Sequence, residues 1–439
     1  MTSSSDHSSF LASLRKPVQV HFDAAWGPPQ YTNWVDESMS WKETCYIGDW
    51  SWLYAVRFKG PDALRLFSDI SVNSMENFQI GQSKHIIHCN EDGKIIEEGI
   101  LSRIGDDEVI AFCSMWSKFV LDKGGYNATA EMFDCTKYHL QGPNAVYVLE
   151  KVAGESVRDI GFMRFRTITI AGHPVTALRQ GMTGELGFEL QSAVEHGKEI
   201  WDAIVEAGAE FGIRQMGGRV GMLNHLEANY PTHTLDYLPA LFDEDHADYR
   251  AFLAQMVPGF FDQYFKVAGS FESNDIRDWY RSPVELGWGN RINLKHEFIG
   301  REALAKEKAE PKRTIVTLVW NSDDVVDAYA SFFKKGDPLP DFMEMPRESR
   351  GYMWADKVLK NGETIGVSTS RGYSAYFREM LSLCTIDMEF SQPGTEVTLI
   401  WGNPGQPQRE IRAVVQRAPY KEDRARADLT TLPPFKGLR

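Results

Sequence analysis

A short segment with two glycines and two carboxylates has the residue types best suited to binding chemistry. It runs from Met182 to Glu189 and contains Gly184, Glu185 and Gly187. Glycines at this spacing predict a tight turn that another backbone or a ligand can approach closely, directly before a strand whose first residues face a pocket. From the residue types alone, a plain hairpin and a ligand-binding loop both remain open.

Neither the cysteines nor the histidines have the spacing of a metal site. The five cysteines include no Cys-x-x-Cys pair, so we expect reduced thiols in the core or near the surface. His85 and His88 are the nearest histidine pair, and we expect them on or near a strand rather than on a metal ion. The sequence therefore predicts no metal.

Bulk properties restrict the class of protein and of ligand. A chain of 439 residues is expected to form two or three domains, and its 43% hydrophobic and 25% charged residues are ordinary for a globular protein. No apolar run approaches the roughly 20 residues of a membrane span, and the polar, Ser-rich start does not resemble a signal peptide. The net charge of -14 argues against nucleic acid as a partner. We therefore expect a cytoplasmic protein, without membrane partners, that binds small molecules.

Hydrophobic spacing predicts mixed helices and strands in the first two thirds of the chain. Residues 60–70 and 194–211 have helical spacing, the second run being ended by Gly212. Short β-like runs are found at 53–58, 83–88 and 109–113. This order predicts an α+β body.

The composition changes near residues 306–313, where a charged run with a proline predicts a linker. Beyond it the pattern is mostly β and fits a small barrel or sandwich, with strands expected at 314–320, 366–369, 381–386, 396–401 and 410–416. The tail after Pro419 is expected to extend over the surface.

Six segments in order along nearly the whole chain resemble motifs of the glycine-cleavage T-protein family, the aminomethyltransferases. Residues 182–189 resemble the family's Tyr-Thr-Gly-Glu-Asp-Gly-Phe-Glu motif, with Met182 and Leu186 as the differences. The other matching segments are residues 49–64, 93–100, 219–229, 282–304, and 366–374 together with 392–396. Each match alone would be weak, and their shared order gives them weight.

The resemblance implies a fold, a cofactor and roles for several residues. The fold would be α+β, with a T-protein-like folate-binding body of two subdomains in residues 1–305, a C-terminal β-barrel domain in 314–420 and a surface tail in 421–439. The cofactor would be tetrahydrofolate. Glu189 would hold the pterin, because an ionised carboxylate accepts hydrogen bonds from both an N–H and an amino group.

Other carboxylates and one arginine match the family more loosely. Glu98 stands for the aspartate of the family's catalytic region, near the reduced pterin ring and its bridging nitrogen, with a structural role as the alternative. Arg219 is a candidate partner for the glutamyl tail of folate. Asp49 and Glu227 are interpreted as ordinary capping or ion-paired groups.

Two apparent insertions, residues 230–280 and 322–352, separate this chain from the glycine-cleavage enzyme. The first resembles the tetrahydrofolate-dependent aromatic O-demethylases that act on methoxybenzoates such as vanillate, 3-O-methylgallate and syringate. A tyrosine implicated in catalysis there is Phe242 here, and the family's histidine is Trp52. No clear counterpart of their carboxylate-binding arginine occurs near residues 111–116, so the donor side of the site differs from these relatives.

The donor side is rich in aromatic residues. Trp50, Trp52 and Trp116 could stack on an aromatic substrate, with Phe242 beside them, although tryptophans are also common core residues. Methyl transfer from an aryl ether to N5 of tetrahydrofolate is an in-line displacement that a general acid near the ether oxygen would assist. Tyr237 is a hypothesis for that acid because it lies in the same loop as Phe242, and a loop-anchoring aromatic is the alternative.

The leading interpretation is therefore a tetrahydrofolate-dependent O-demethylase that converts a small methoxylated aromatic compound into a phenol and 5-methyltetrahydrofolate. A second interpretation replaces the donor with a sulfonium or methylamine compound, which tryptophans could surround by cation–π contacts. A third is a non-catalytic folate-binding protein. The aminomethyl-lipoyl protein of glycine cleavage fits least, given the two insertions.

Overall fold

The computed structural model describes residues 10–16, 25–348 and 353–438 of the chain. The Ser-rich start and the last four residues of the 322–352 insertion lie outside the described residues. The strands of the body, in chain order, are β1 (Cys45–Asp49), β2 (Ala55–Lys59), β3 (Gln82–Cys89), β4 (Ile95–Gly105), β5 (Glu108–Phe112), β6 (Thr129–Phe133), β7 (Thr136–Gln141), β8 (Phe165–Ile170), β9 (His173–Leu178), β10 (Gly187–Ser192) and β11 (Ile213–Gln215).

The remaining strands belong mostly to the C-terminal part of the chain. They are β12 (Val267–Ala268), β13 (Arg313–Trp320), β14 (Met353–Trp354), β15 (Asp356–Lys360), β16 (Glu363–Ser374), β17 (Glu379–Asp387), β18 (Glu396–Trp401) and β19 (Arg409–Gln416). Six of them close into a barrel in the order β13-β17-β16-β15-β18-β19, while β12 and β14 form a short parallel pair. The barrel alternative of the sequence analysis is therefore confirmed.

The helices lie between the strands and on their faces. They are α1 (Trp34–Glu43), α2 (Ala63–Ile70), α3 (Met115–Asp122), α4 (Ala145–Ala153), α5 (Gly197–Gly208), α6 (Leu223–Ala228), α7 (Ala247–Met256), α8 (Phe260–Tyr264), α9 (Arg301–Ala309) and α10 (Ser322–Ser331). Among the described residues, no helix has the length and apolar character needed to cross a membrane.

The body is built on two sheets. One has the order β3-β4-β5-β2-β6 and the other β11-β1-β7-β10-β9-β8. Between these sheets and the barrel lies a central cluster of buried apolar side chains that includes Tyr46 of β1, Ile87 of β3, Leu223 of α6 and Leu383 of β17, together with Tyr237. The predicted α+β fold with a C-terminal barrel is confirmed.

Local sequence explains the predicted helices well. In α2, Ala63, Leu66, Phe67 and Ile70 lie on one face and all four are buried. The second predicted helix corresponds to α5 with one 3-10 turn at each end. The helical segment ends at Gly212, whose φ of +72° suits a residue without a Cβ.

The predicted linker at 306–313 is mostly helix, which is a correction. Residues 306–309 are the last part of α9, and β13 begins at Arg313. The Lys, Glu and Ala residues that suggested a linker are good helix formers. The joint is therefore only three residues long and includes Pro311, which cannot continue the helix.

The tail after Pro419 packs against the body rather than lying wholly on the surface. Lys421, Ala425 and Leu429 are buried. The Lys421 ammonium donates to the Gly184 carbonyl over 3.1 Å and to Glu185 over 3.0 Å, and the backbone N–H of Arg424 also donates to Gly184. Polar composition suggested exposure here, but the charged groups of the tail satisfy buried partners of the body.

Candidate functional site

Strands β7 and β10 bring Glu189 directly opposite His139 in the antiparallel register. Glu189 is only 1% exposed, and its Oε1 accepts a hydrogen bond of 2.7 Å from the Gln180 amide. Its Oε2 lies 3.1 Å from the Lys137 ammonium, yet among the described residues it accepts no hydrogen bond of good geometry. The carboxylate thus keeps unused acceptor capacity inside the protein.

The neighbours of Glu189 keep it ionised. Burial acts to raise its pKa, but the Lys137 ammonium and then His139 outweigh burial, so the pKa is lowered. Burial also lowers the pKa of His139 to about 4, so this imidazole is neutral near pH 7. Lys137 is therefore the main counter-charge, and the site presents an anionic acceptor.

The glycine motif shapes the approach to Glu189. Gly184 has a φ of +62° in the turn before β10. A Cβ on Gly187 would come within 2.6 Å of the Gln141 side chain, whose amide donates to the Gln180 carbonyl over 3.0 Å. Gly187 thus leaves room for the Gln141 side chain. Gln141 in turn holds the backbone of Gln180, whose side chain donates to Glu189. The tight turn expected before a strand is present.

Glu98 lies on β4, in the β3-β4-β5-β2-β6 sheet of the body. Its side chain is 18% exposed and is 2.8 Å from Nε2 of His85, while Nδ1 of His233 is 3.8 Å from its other oxygen. Burial acts to raise the pKa of Glu98, but the two imidazoles outweigh burial and lower the pKa well below its ordinary range. Glu98 is therefore a second anionic acceptor.

Glu97 faces the opposite side of β4, because successive strand residues alternate faces. Its carboxyl oxygens accept the backbone N–H groups of Met115 over 2.8 Å and Trp116 over 2.9 Å, at the start of α3. Burial raises the pKa of Glu97 to about 8, although these hydrogen bonds act to lower it. This group was not predicted from the sequence, and its role is to fix the helix start.

The Cys113 thiol is influenced by carboxylates from both sheets. The pKa of the Cys113 thiol is raised to about 12, first by burial and then by the charges of Glu98, Glu97 and Glu189, with Lys137 opposing them. Glu98 and Glu189 come from different sheets and are 91 positions apart in the chain, yet both act on one thiol. Both carboxylates therefore lie within electrostatic range of Cys113.

Tyr237 lies in the central cluster and is fully buried. Within the described ranges its hydroxyl has no hydrogen-bond partner. Burial and then the Glu98 charge raise the pKa of Tyr237 well above the ordinary value, so the phenol hydroxyl keeps its proton. The preceding residue, Asp236, fixes the loop by accepting from the Thr369 hydroxyl of the barrel over 2.6 Å.

The aromatic residues predicted for the substrate lie in two groups. Trp50 stacks on His139 with ring centres 4.1 Å apart, and Trp26 contacts both Trp50 and the partly exposed Trp52 edge-on. Trp116 and Phe242 belong instead to the cluster of the β3-β4-β5-β2-β6 sheet.

In that second cluster, Trp116 packs on Tyr249 and Phe242 packs on Phe10, Phe261 and Phe265. The central cluster contains Trp50 together with Tyr237. The structure therefore does not assemble the four predicted aromatic residues into one wall.

Arg219 lines a cleft that neither Glu98 nor Glu189 lines. Its guanidinium donates to the Met345 carbonyl, and it lines an opening of about 370 Å³ together with Trp34 and Tyr329. The structure does not bring it next to the two carboxylates.

Two carboxylates that were interpreted as structural have ordinary structural contacts. Asp49 accepts the backbone N–H of Ser51. Glu227 is fully buried, where its carboxylate accepts from the Trp41 indole over 2.8 Å and the Ser374 hydroxyl over 2.6 Å and pairs with the Lys42 ammonium at 2.7 Å. It joins α1 to the barrel.

Several polar neighbours of Glu98 and Glu189 were not predicted from the sequence, namely His85, His139, Lys137, Gln180 and His233. A usable signal existed for two of them. Lys137 and His139 are two positions apart in the run that forms β7, so the sequence places both on one face of a strand, and the structure shows all six residues of this strand to be buried.

The cysteines and the nearest histidine pair lie as expected from the sequence. All five cysteines are free, and His85 and His88 lie on β3. No group of three or more His, Cys, Asp or Glu side chains in the described part of the chain could hold a metal ion.

Comparison with known proteins gives one family match and several full-length relatives. Residues 16–241 match the GCVT N-terminal domain. The chain is 37% identical over 418 residues to sesamin methylene transferase of Sinomonas sp. (strain No.22), covering 90% of each protein. It is 31% identical over 420 residues to syringate O-demethylase of Sphingobium sp., covering 90% of this chain and 89% of that protein.

More distant relatives include aminomethyltransferases. That of Halothermothrix orenii is 26% identical over 402 residues, covering 90% of this chain and 93% of that protein. The crystal structure of glycine cleavage system aminomethyltransferase T from Bartonella henselae superposes with a TM-score of 0.66 at 18% identity, covering 94% and 96% of the two chains. This last match supports the fold.

Proposed function

Because this chain belongs to the GCVT family and is a tetrahydrofolate-dependent methyltransferase, we propose that its methyl donor is a small methoxylated aromatic compound. The products would be a phenol and 5-methyltetrahydrofolate. The proposal rests on one observation above all. A fully buried tyrosine hydroxyl, that of Tyr237, has no partner among the described residues and is close enough to Glu98 to be influenced by its charge.

The carboxylates provide what a reduced folate requires. The pterin edge offers an N–H and an amino group as donors, and Oε2 of Glu189 is a buried acceptor that lacks a well-formed hydrogen bond within the described residues. Glu98, held in its ionised form by two imidazoles, would accept from the ring or bridging nitrogen. The residues present therefore fit the cofactor.

Bound tetrahydrofolate would supply N5 as the methyl acceptor. The methyl–oxygen bond of the ether would break as a methyl–nitrogen bond forms, and the proton lost from N5 would balance the one gained by the phenol oxygen. Tyr237 would donate its proton, or a hydrogen bond, to the departing oxygen. Its raised pKa keeps the hydroxyl protonated near neutral pH, so it can donate a hydrogen bond to the oxygen as negative charge develops there. Glu98 would orient the acceptor and stabilise positive charge that develops beside it.

The aromatic nature of the donor is supported by the surroundings of the folate carboxylate. Trp50 lies on His139, which is 3.4 Å from Glu189, and Trp52 continues this group toward the surface through Trp26. Flat aromatic ligands are bound well by such rings. Trp116 and Phe242 remain candidates for a more distant wall of the same substrate.

A second candidate function changes the group that is transferred. The relative with 37% identity is named a methylene transferase, so the chain would in that case pass a methylene rather than a methyl group from an aromatic donor to the folate. A sulfonium or methylamine donor is a third candidate, because the exposed part of Trp52 could contact a cation.

These candidates are separated by one assay. The purified protein is incubated with tetrahydrofolate and, separately, with methoxybenzoates, other methoxyarenes, methylenedioxyarenes, sulfonium compounds and methylamines, and the folate product is identified by mass. We expect 5-methyltetrahydrofolate with a methoxylated arene. Product from a sulfonium or methylamine compound alone, or 5,10-methylenetetrahydrofolate from a methylenedioxyarene alone, would contradict the proposal.

A further inference from the structure

The cleft that Arg219 lines has a volume of about 370 Å³ and takes no part in the function proposed above. Its lining residues are Trp34, Arg219, Tyr329, Phe342, Met343, Glu344 and Met345. The cleft lies where α1 of the body meets α10 and the chain that follows α10. Its volume is at the lower end of the range for small-molecule sites, which often occur at junctions between domains.

Most of the wall of this cleft comes from the 322–352 insertion, which separates the chain from the glycine-cleavage enzyme. Five of the seven lining residues belong to it. The Tyr329 hydroxyl donates to the Met343 carbonyl over 2.5 Å. The Arg219 guanidinium donates to the Met345 carbonyl over 2.5 Å, so the segment is fixed at two points. The cleft is thus formed mainly by residues outside the shared family motifs, and we expect its ligand to be specific to chains with the insertion.

The apolar part of the lining consists of aromatic and methionine side chains. Phe342 is 55% exposed and meets Tyr329 edge-on, with ring centres 6.0 Å apart. An exposed ring gains free energy when a ligand removes it from water, and a flat ligand packs well against such rings. Met343 and Met345 add flexible side chains that adapt to the outline of a ligand. This lining favours an aromatic ligand.

Two side chains of opposite charge form the polar part of the lining. Within the described residues, the Arg219 guanidinium makes one hydrogen bond, to the Met345 carbonyl. A guanidinium has five N–H donors, so others remain for an oxygen atom of a ligand. The Glu344 carboxylate can accept an O–H. Because the two charges offset each other, the cleft favours an uncharged ligand with oxygen substituents over an anion.

We propose that this cleft binds an uncharged aromatic compound with oxygen substituents, such as a methoxyphenol, at a second site. The ring would pack against Phe342 and Trp34. Arg219 would donate to an ether oxygen, and Glu344 would accept from a phenol hydroxyl. Both the donor and the phenol of the reaction proposed above belong to this class of compound. The second site itself does not depend on which group that reaction transfers.

Binding is tested by calorimetry with 2-methoxyphenol as the probe, with and without saturating tetrahydrofolate. We expect similar Kd values in the two states, because neither Glu98 nor Glu189 lines the cleft. Benzoate carries a negative charge and cyclohexanol lacks a flat ring, so each should bind at least about fivefold more weakly. Loss of probe binding on addition of tetrahydrofolate, or equal affinity for benzoate or cyclohexanol, would overturn the proposal.

The change Phe342→Ala assigns the binding to this cleft. We expect the Kd of 2-methoxyphenol to rise by roughly threefold to tenfold, the usual size of a ring–ring contact. Phe333→Ala is the matched control, because Phe333 is 88% exposed and does not line the cleft. Its Kd should equal that of the wild type. A wild-type Kd in Phe342→Ala would overturn the assignment.

The change Arg219→Gln tests the polar contact. We expect a rise in Kd of roughly threefold to tenfold, with partial recovery in Arg219→Lys, which keeps a charged donor. Arg417→Gln is the control, because Arg417 also donates to a backbone carbonyl but lies outside the cleft. A wild-type Kd in Arg219→Gln would contradict the proposal. Failure of every methyl donor to react would remove the O-demethylase proposal and leave these Kd values unchanged.

Discussion

At the scale of single residues, the site consists of groups whose bonding capacity is not fully used inside the protein. The Tyr237 hydroxyl and Oε2 of Glu189 are both buried, and in the described part of the chain neither has a well-formed hydrogen bond. Such groups cost free energy in the folded state unless a ligand satisfies them. They are therefore the residues whose replacement should affect function more than folding.

Replacing Tyr237 with Phe tests the proposed proton donor. The change removes a hydroxyl that has no hydrogen-bond partner among the described residues, so the fold should be retained. We expect kcat to fall by roughly 100-fold, with little change in the Kd for folate, because a general acid acts mainly in the transition state. Rapid-quench measurement of the folate product provides kcat.

The matched control for this change is Tyr280→Phe. Tyr280 is also a buried tyrosine, but its hydroxyl accepts the Phe242 backbone N–H and it lies in the other cluster. Its kcat should remain near the wild-type value. An unchanged kcat in Tyr237→Phe would leave Tyr237 as a loop anchor only.

Replacing Glu189 with Gln tests the carboxylate proposed to bind the pterin. Loss of a charged hydrogen bond costs about 1.5 to 3 kcal/mol, so the folate Kd should rise by roughly 10- to 100-fold. Glu185→Gln is the control for indirect effects, because Glu185 belongs to the same motif but acts through its pair with Lys421, so a smaller loss of affinity is expected. Calorimetry measures the folate Kd of both variants. Similar losses of affinity in the two would indicate that the motif acts only through its fold.

At the scale of secondary structure elements, the carboxyl of Glu97 connects β4 to the start of α3 and makes the stability of this junction depend on pH. Its pKa is about 8 in the folded protein, against an ordinary value of 4.5. Between these values the folded chain binds a proton that the unfolded chain does not. The free energy of unfolding should therefore decrease as the pH rises through this window.

The change Glu97→Gln should remove this contribution. We expect the decrease in stability between about pH 5 and about pH 8 to be smaller in the variant than in the wild type. Urea denaturation at several pH values measures it, with the exposed Glu91→Gln as the control. Identical slopes in wild type and Glu97→Gln would contradict the raised pKa.

The contact between the tail and the glycine turn is a second element-scale feature. Lys421 is 8% exposed and bonds both the Gly184 carbonyl and Glu185, while Arg424 lies 3.6 Å from the same carboxylate. Lys421→Ala should lower the free energy of unfolding by roughly 2 kcal/mol. This loss is smaller than for an isolated buried ion pair, because Arg424 remains near Glu185 as a second cation.

The same variant should weaken folate binding, because the turn precedes the strand that carries Glu189. Lys436→Ala, which alters an exposed lysine of the tail, is the control. Thermal melts and folate titrations of both variants provide the comparison. Wild-type values in Lys421→Ala would show that the tail does not support the turn.

At the scale of the whole molecule, two sheets and a barrel pack around the candidate site. The sequence predicts the individual elements better than their relative placement. Glycine spacing indicates the turn before β10, and apolar spacing indicates α2 and the barrel strands. The pairing of Glu189 with His139 depends on the register of β10 against β7, across 50 residues of chain. No local pattern contains that register.

The same limit explains the expectations that differ from the structure. The charged run at 306–309 is helical because its Lys, Glu and Ala side chains favour a helix, and the polar tail is partly buried because Lys421 finds Glu185. Trp50 and Phe242 suggested one aromatic wall, but tertiary packing places them in different clusters. For the tail and the two aromatic residues, contacts distant in sequence decide the outcome, whereas the helix at 306–309 follows from local propensity.

The stacking of Trp50 on His139 also has an optical consequence. The emission of an indole responds to the charge and proton donors around it, and this ring lies parallel to an imidazole that touches the carboxylate proposed to bind the pterin. A ligand that donates to Glu189 changes the field at Trp50. Arrival of the cofactor should therefore shift the intrinsic fluorescence of the protein, and the shift should be largely absent in Trp50→Phe.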